Sequence, residues 1–274
     1  MKRKALVITG ASDGIGAAAA RKAATLGHHV VVIGRNPDKT RAVAESIGAR
    51  HYVADFTNLD AVAELADRLL KDLDHIDVLA NNAGGVVARR RVTADGFEQT
   101  LQMNHLAPFV LTHRLLPLMQ ASEARVVQTS SMAATRGLVR FDDLQGEHGY
   151  REMRAYAQTK LANVLFTAEL HRRYGDQVTA TAFHPGVIGS SFGRDGSLLV
   201  KWFFSSGLAR RVLTPPEVGA DRLLWLALSP EDAGWVPGEF HVENRPRALR
   251  PDQVSPEIAA RLWDETSALV KDWI

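Results

Sequence analysis

Ala5-Leu-Val-Ile-Thr-Gly-Ala-Ser-Asp-Gly-Ile-Gly16 leads into alanine-rich Ala17–Leu26, and Gly27-His-His then precedes Val30-Val-Val-Ile33. Ala5 to Thr9 is a short apolar run ending in glycine, the pattern of a strand buried on both faces. Ala17–Leu26 has strong helix propensity, and Val30–Ile33 reads as a second buried strand. Strand, turn, helix and strand within about thirty residues predict a right-handed βαβ unit. In the turn, Gly10 permits the tight exit from the strand. Gly14 and Gly16 let a pyrophosphate and the sheet approach the backbone where the helix starts. The free N–H groups and helix dipole favour phosphate there. The spacing G-x-x-x-G-x-G differs from the commoner G-x-G-x-x-G, and a purely structural glycine turn is the alternative.

The alternation continues down the chain. Helices are expected at Pro37–Ile47, Leu59–Leu70, Phe97–Met119 and around Arg154–His171, and strands at Arg50–Ala54, Ile76–Ala80, Arg125–Thr129 and Val178–Phe183. Beyond Pro185 the pattern lapses until a helix at Pro216–Leu228, a short strand at Glu239–Val242 and a helix at Pro256–Val270. No linker-like tract or repeat interrupts the 274 residues. The expectation is an α/β fold: one doubly wound parallel sheet of Rossmann type in a single domain, 1–274. Within it, 190–213 is a candidate substrate lid and 255–274 a C-terminal helical extension.

Bulk properties exclude several classes. The chain has no cysteine, which removes disulfides, thiolate metal sites and cysteine nucleophiles. Its formal net charge of +2 is far from a nucleic-acid binder's footprint. The apolar run after Met1-Lys-Arg-Lys4 stops at Thr9-Gly10, too short for an export signal, and no run is long enough to span a membrane. A soluble cytoplasmic protein acting on a small molecule is expected.

Three further stretches fall at strand ends, where open α/β sheets bind ligands. In Ile33-Gly-Arg35-Asn36, glycine stands where an acid would bind the ribose of NAD. Arg35 favours the extra phosphate of NADP(H), or is a solvated arginine at a strand end. Asp55-Phe56 could line an adenine, or Asp55 could be a turn acid. Asn81-Asn-Ala-Gly84 is by itself a turn signal. Tyr156 and Lys160, at i and i+4, share one helix face, where an ammonium would lower the phenol's pKa. Such pairs also occur on ordinary solvated helices.

Taken together, Thr9–Gly16, Asn81–Gly84, Ser130-Ser131 and the Tyr156/Lys160 pair resemble the short-chain dehydrogenase/reductase family over about Lys4–Val242. Met103–Thr112, Phe141–Gln145, Thr159–Phe166 and His184–Val187 carry a closer likeness to its retinol-dehydrogenase-like subgroup. The resemblance implies that Tyr156 protonates the substrate oxygen, while Lys160 lowers the phenol's pKa and holds the nicotinamide ribose. Ser131, the second serine of its pair, would stabilise developing negative charge. Asn104 would order a water in a proton relay, or simply satisfy backbone groups. Cofactor contacts are expected from Gly10, Ser12, Asp13, Gly14, Ile15, Gly16, Arg35, Asp55, Phe56, Asn81, Ala83, Gly84, Tyr156, Lys160, Pro185, Gly186, Ile188 and Ser190. Ser190 stands where threonine is more usual.

The gap from Ser131 to Tyr156 is about twice that of most short members, which makes the Phe141–Glu152 region a candidate substrate-side loop. The implied activity is NADP(H)-dependent hydride transfer to a carbonyl, or from an alcohol, of a hydrophobic substrate. A cofactor sensor or scaffold without turnover, or an isomerase or lyase on the same scaffold, is the alternative. A light-driven protochlorophyllide-type reductase would need a cysteine. Arg89-Arg-Arg91 reads as a solvated loop before an anion site. His28-His29 diverge on a strand and make no metal pair, no metal site is expected, and His184 reads as structural. Trp202-Phe-Phe204 is open between lid, dimer contact and loosely attached core. Homo-oligomers occur often in the family.

Overall fold

The opening apolar run forms β1 (Ala5–Ile8), buried along its whole length. Leu6 and Ile8 pack into the helical layer on one face of the sheet and Val7 into the layer on the other. That alternation is why an unbroken apolar run, rather than an amphipathic one, makes this strand. The computed structural model describes residues 3–187 and 214–274. The lid expected at 190–213, Trp202–Phe204 within it, and Ile188 and Ser190 lie outside the described residues.

Among the described residues seven more strands join β1: β2 (His29–Gly34), β3 (Arg50–Val53), β4 (Val78–Asn81), β5 (Arg125–Thr129), β6 (Thr179–His184), β7 (Phe240–Val242) and β8 (Arg245–Pro246). They form one sheet in the order β3-β2-β1-β4-β5-β6-β7-β8, parallel throughout except for the antiparallel β7–β8 pair. The doubly wound α/β fold expected from the sequence is therefore observed. Strand order reverses between β1 and β4, the place where such sheets open a crevice beyond their carboxyl ends. The segments that follow β1 and β4 are the glycine turn and Asn82–Gly85.

The α-helices of the described residues are α1 (Gly14–Thr25), α2 (Pro37–Ser46), α3 (Leu59–Asp72), α4 (Gln99–Leu101), α5 (Ala107–Ala121), α6 (Glu152–Tyr174), α7 (Pro216–Leu228) and α8 (Pro256–Leu269). Helices α1 and α7 pack together on the face that receives Leu6 and Ile8; α3 and α5 pack on the opposite face. Helix α6 is buried from Tyr156 through Thr167, polar residues included. Ser255 caps α8, which lays Trp263 against Phe109 and Phe166, with ring centroids 4.9 and 5.7 Å apart.

Several boundaries differ from the sequence expectation, each for a local reason. Helix α1 starts at Gly14, not Ala17, because the Asp13 carboxylate accepts from Gly14 N and caps it. Strand β4 is shifted toward its carboxyl end, since Asn81 still pairs with Gln128 of β5. The single helix expected over Phe97–Met119 is interrupted by a π turn at Gln102–Leu106 between α4 and α5. A 3-10 turn at Met132–Arg136 and the two-residue β8 carry no pattern long enough to read.

Candidate active site

A cleft of about 710 Å³ lies along the carboxyl ends of β1, β2, β4, β5 and β6. That is within the usual size of a small-molecule or cofactor site. One end is built by the glycine turn. Gly10 has φ +65°, and a Cβ there would lie 2.8 Å from Ala83 Cα, so only glycine lets the two loops meet. Asn82 fixes this contact by donating from Nδ2 to Thr9 O at 3.0 Å and from its backbone N to Thr9 Oγ1 at 2.9 Å. Gly10, Ser12, Asp13, Gly14 and Ile15 line the cleft; Gly16 does not. A Cβ on Gly16 would run into Gly10 O and Ala11 Cα, so this glycine closes the turn upon itself.

Gly34 ends β2 in a similarly tight place. A Cβ there would strike Thr40 Oγ1 and lie 2.7 Å from Ser12 Cβ. The next residue, Arg35, is exposed and lines the cleft. Asp13 is bound up with α2 through an ion pair to Lys39 at 2.9 Å. Phe56 is buried at the cleft wall beside Asp55, whose Oδ1 accepts from Thr57 N and Oγ1. The two readings of Asp55 are thus compatible: it makes the turn and faces the cleft.

The other end gathers Ser130, Ser131, Tyr156, Lys160, His184, Pro185 and Gly186. Ser130 is buried, and its hydroxyl donates to Lys160 O at 2.6 Å. The Ser131 hydroxyl instead meets the Tyr156 phenol. This difference distinguishes the two serines geometrically. Lys160 Nζ donates to Thr129 O at 3.0 Å and stands 5.7 Å from the centre of the Tyr156 ring. Burial pushes the phenol up to about 12, with the Ser131 hydrogen bond pulling the other way, and pushes the ammonium down to about 8. The helical spacing brings the pair together, but desolvation outweighs the lowering of the phenol expected from the lysine.

Asn104, in the π turn, is held on both sides. Its Oδ1 accepts from Gly85 N at 2.8 Å, and Nδ2 donates to Gly85 O and Thr159 Oγ1 at 2.9 and 3.0 Å. Its side chain satisfies backbone groups, and a Cβ on Gly84 would lie 2.8 Å from Asn104 Oδ1. Ala83 and Gly84 face the cleft, whereas Asn81 turns its amide away to donate to Thr112 Oγ1 on α5. Asn82 takes the place beside the turn. It belongs to the same Asn81–Gly84 stretch, and the signal that separates it from Asn81 is the alternation of a strand running one residue further than expected.

His184 accepts from Met132 N, tying β6 to the 3-10 turn. Arg90 is bound to Gln145 O and Glu147 of the inserted region, while Arg89 and Arg91 are exposed. The insert itself contributes only its end, Glu152, to the cleft, followed by Met153. Among the described residues no cluster could hold a metal ion, and no helix is long and apolar enough to cross a membrane.

Residues 4–196 match the family model described as short chain dehydrogenase. A proposed daunorubicin C-13 ketoreductase of Streptomyces sp. (strain C5) is 36% identical, over 98% of this chain and 93% of its own. Human retinol dehydrogenase 13 is 35% identical, over 97% of this chain and 84% of its own. A solved short-chain dehydrogenase of Shigella flexneri, complexed with NADP, superposes with a TM-score of 0.67 at 25% identity. That match covers 88% of this chain and 97% of the other.

Proposed function

The chain belongs to the short-chain dehydrogenase family and is an oxidoreductase acting on CH–OH and C=O groups; we propose that it works with NADP(H) on a hydrophobic carbonyl or alcohol. The observation that carries this reading is one cleft with a glycine turn and Arg35 at one end and Ser131, Tyr156 and Lys160 at the other. The residues suit a dinucleotide: Gly10 through Ile15 would cradle the pyrophosphate at the α1 N-terminus. Asp55 and Phe56 would flank the adenine, and Ala83, Gly84, Pro185 and Gly186 the nicotinamide half. When bound, the nicotinamide supplies or accepts the hydride.

The chain's own part is proton and charge management. Burial keeps the Tyr156 hydroxyl protonated at neutral pH, the state needed to give its proton to a substrate oxygen. The Ser131 hydroxyl, already beside the phenol, would donate to the same oxygen and stabilise its growing charge. The Lys160 ammonium supplies positive charge beneath the phenol and a donor for a ribose hydroxyl. Asn104 would act by holding the loop at Gly85 against Thr159, next to Lys160.

Two features support NADP(H) over NAD(H). Ser12 and Thr40 fill the space that an acidic side chain at position 34 would need, and Arg35 lines the cleft next to it. The Shigella flexneri relative described with NADP agrees. An apolar substrate is supported by Val86, Met103, Ala133, Met153 and Val187 along the cleft. The relatives' names, a C-13 ketoreductase and a retinol dehydrogenase, fit a carbonyl–alcohol pair. The test is NADPH consumption with ketones, aldehydes and quinones of rising apolar size, repeated with NADH. The proposal expects turnover that favours NADPH and larger apolar carbonyls; equal use of both cofactors, or preference for small polar carbonyls, contradicts it.

A further inference from the structure

Two residues of the stretches that carry the subgroup likeness, His105 and Asn163, take no part in the chemistry above, yet both are buried. Asn163 lies three residues beyond Lys160 on α6. Its Nδ2 donates to Thr129 O at 3.3 Å, the same carbonyl that accepts from Lys160 Nζ at 3.0 Å. One carbonyl at the end of β5 therefore receives both side chains.

The far side of Asn163 leads away from the cleft. Its Oδ1 is buried without a hydrogen-bond partner, and the Asn163 side chain is a neighbour that the His105 imidazole feels. His105 Nε2 lies 3.0 Å from Thr266 Oγ1 on α8. Burial keeps the ring neutral, so it carries one N–H. With that hydrogen on Nδ1, Nε2 accepts from the Thr266 hydroxyl. The ring is held edge-on to Phe166, with centroids 6.4 Å apart. It projects from the π turn that also presents Asn104, whose amide contacts Thr159 next to Lys160.

We propose that His105 and Asn163 are positioning residues: they fix the Thr129 carbonyl, and through it the Lys160 ammonium, and anchor that grip to Thr266 on α8. A lysine has four rotatable side-chain bonds, and in a buried site its ammonium stays where its acceptors are. Without Asn163 the Thr129 carbonyl, whose strand stays paired with β6, loses one of the two donors it receives from α6. Without His105 the Asn163 amide, held by Thr129 O on one side, loses its polar neighbour on the other. The inference rests on the hydride-transfer reading for its kinetic consequence but not for its structural content.

The test uses the full-length enzyme and four variants. Asn163→Leu and His105→Leu remove the link at similar volume. His105→Asn keeps a donor near Nδ1 and is the conservative rescue. Thr266→Val breaks only the anchor. Expected is a fall in kcat of roughly tenfold for the two leucine variants, from small misplacement of a catalytic group. The Kd for NADPH should stay within about threefold, and kcat should recover to within about threefold of the parent in His105→Asn. The order of the Lys160 side chain, read by 13Cε relaxation, should fall in the leucine variants and Thr266→Val and be kept in His105→Asn. Unchanged Lys160 order in both leucine variants overturns the proposal, as does a loss of kcat in His105→Asn equal to that in His105→Leu. If the parent enzyme turns over no carbonyl, the functional reading fails instead, and the relaxation measurement still decides the positioning claim.

Discussion

Replacing Gly34 by Asp installs the acid that an NAD-selective site would use, and this fold should reject it. The first atom of the new side chain meets Thr40 Oγ1 and lies 2.7 and 2.9 Å from Ser12 Cβ and Oγ. Neither neighbour yields easily. Thr40 is fully buried and donates from Oγ1 to Asn36 O at 2.6 Å, and Asn36 caps α2. Ser12 belongs to the glycine turn. Overpacking of this kind costs about 1–3 kcal/mol. At roughly 2–4 °C per kcal/mol for a chain of this size, the melting temperature should fall by about 2–12 °C. Because relief must come through Ser12 and the α2 cap, NADPH affinity should fall without a matching gain for NADH. Thermal unfolding by circular dichroism and fluorescence titration with both cofactors read these effects. Adding Ser12→Gly and Thr40→Ala removes the colliding atoms and should recover part of the stability. A Gly34→Asp variant that melts with the parent and binds NADH tightly would show that the end of β2 has room for an acid.

Arg35 and two buried histidines lead to further outcomes. Arg35→Ala should weaken NADPH by about 2 kcal/mol, tens of fold, and leave NADH nearly unchanged, because a charge-assisted contact to the extra phosphate is lost; isothermal titration with each cofactor checks it. Burial holds His105 and His184 down at about 4 in the folded chain, against an ordinary 6.5. The unfolded chain therefore binds more protons between these values, and stability should be full above pH 6.5 and fall as pH drops toward 4. The loss is on the order of 3 kcal/mol for each group. Urea unfolding at pH 7.5 and 4.5 measures it, and His105→Asn should show a smaller difference.

The strands were legible because a parallel sheet covered on both faces leaves unbroken apolar runs such as Leu6-Val-Ile8 and Val30–Ile33. The closeness of Tyr156 to Lys160 was legible from helical spacing alone. What sequence could not supply depends on tertiary context. Asp13 turns what reads as the end of a glycine loop into the first turn of α1. The π turn at Gln102–Leu106 has no propensity signature, yet it sets the directions of Asn104 and His105. The pairing of Asn81 with Gln128 sends one asparagine into the core and leaves Asn82 beside the glycine turn. The phenol's upward shift is a consequence of burial, which helical spacing does not encode.

The proposed chemistry has the Tyr156 hydroxyl deliver the proton in an NADPH-dependent carbonyl reduction. The most direct measurement is turnover of Tyr156→Phe beside its affinity for NADPH, with a carbonyl that the parent enzyme reduces. The account predicts a fall in kcat of at least roughly a hundredfold, the scale of a lost general acid, with NADPH affinity within about twofold of the parent. Turnover close to the parent's in that variant would contradict it.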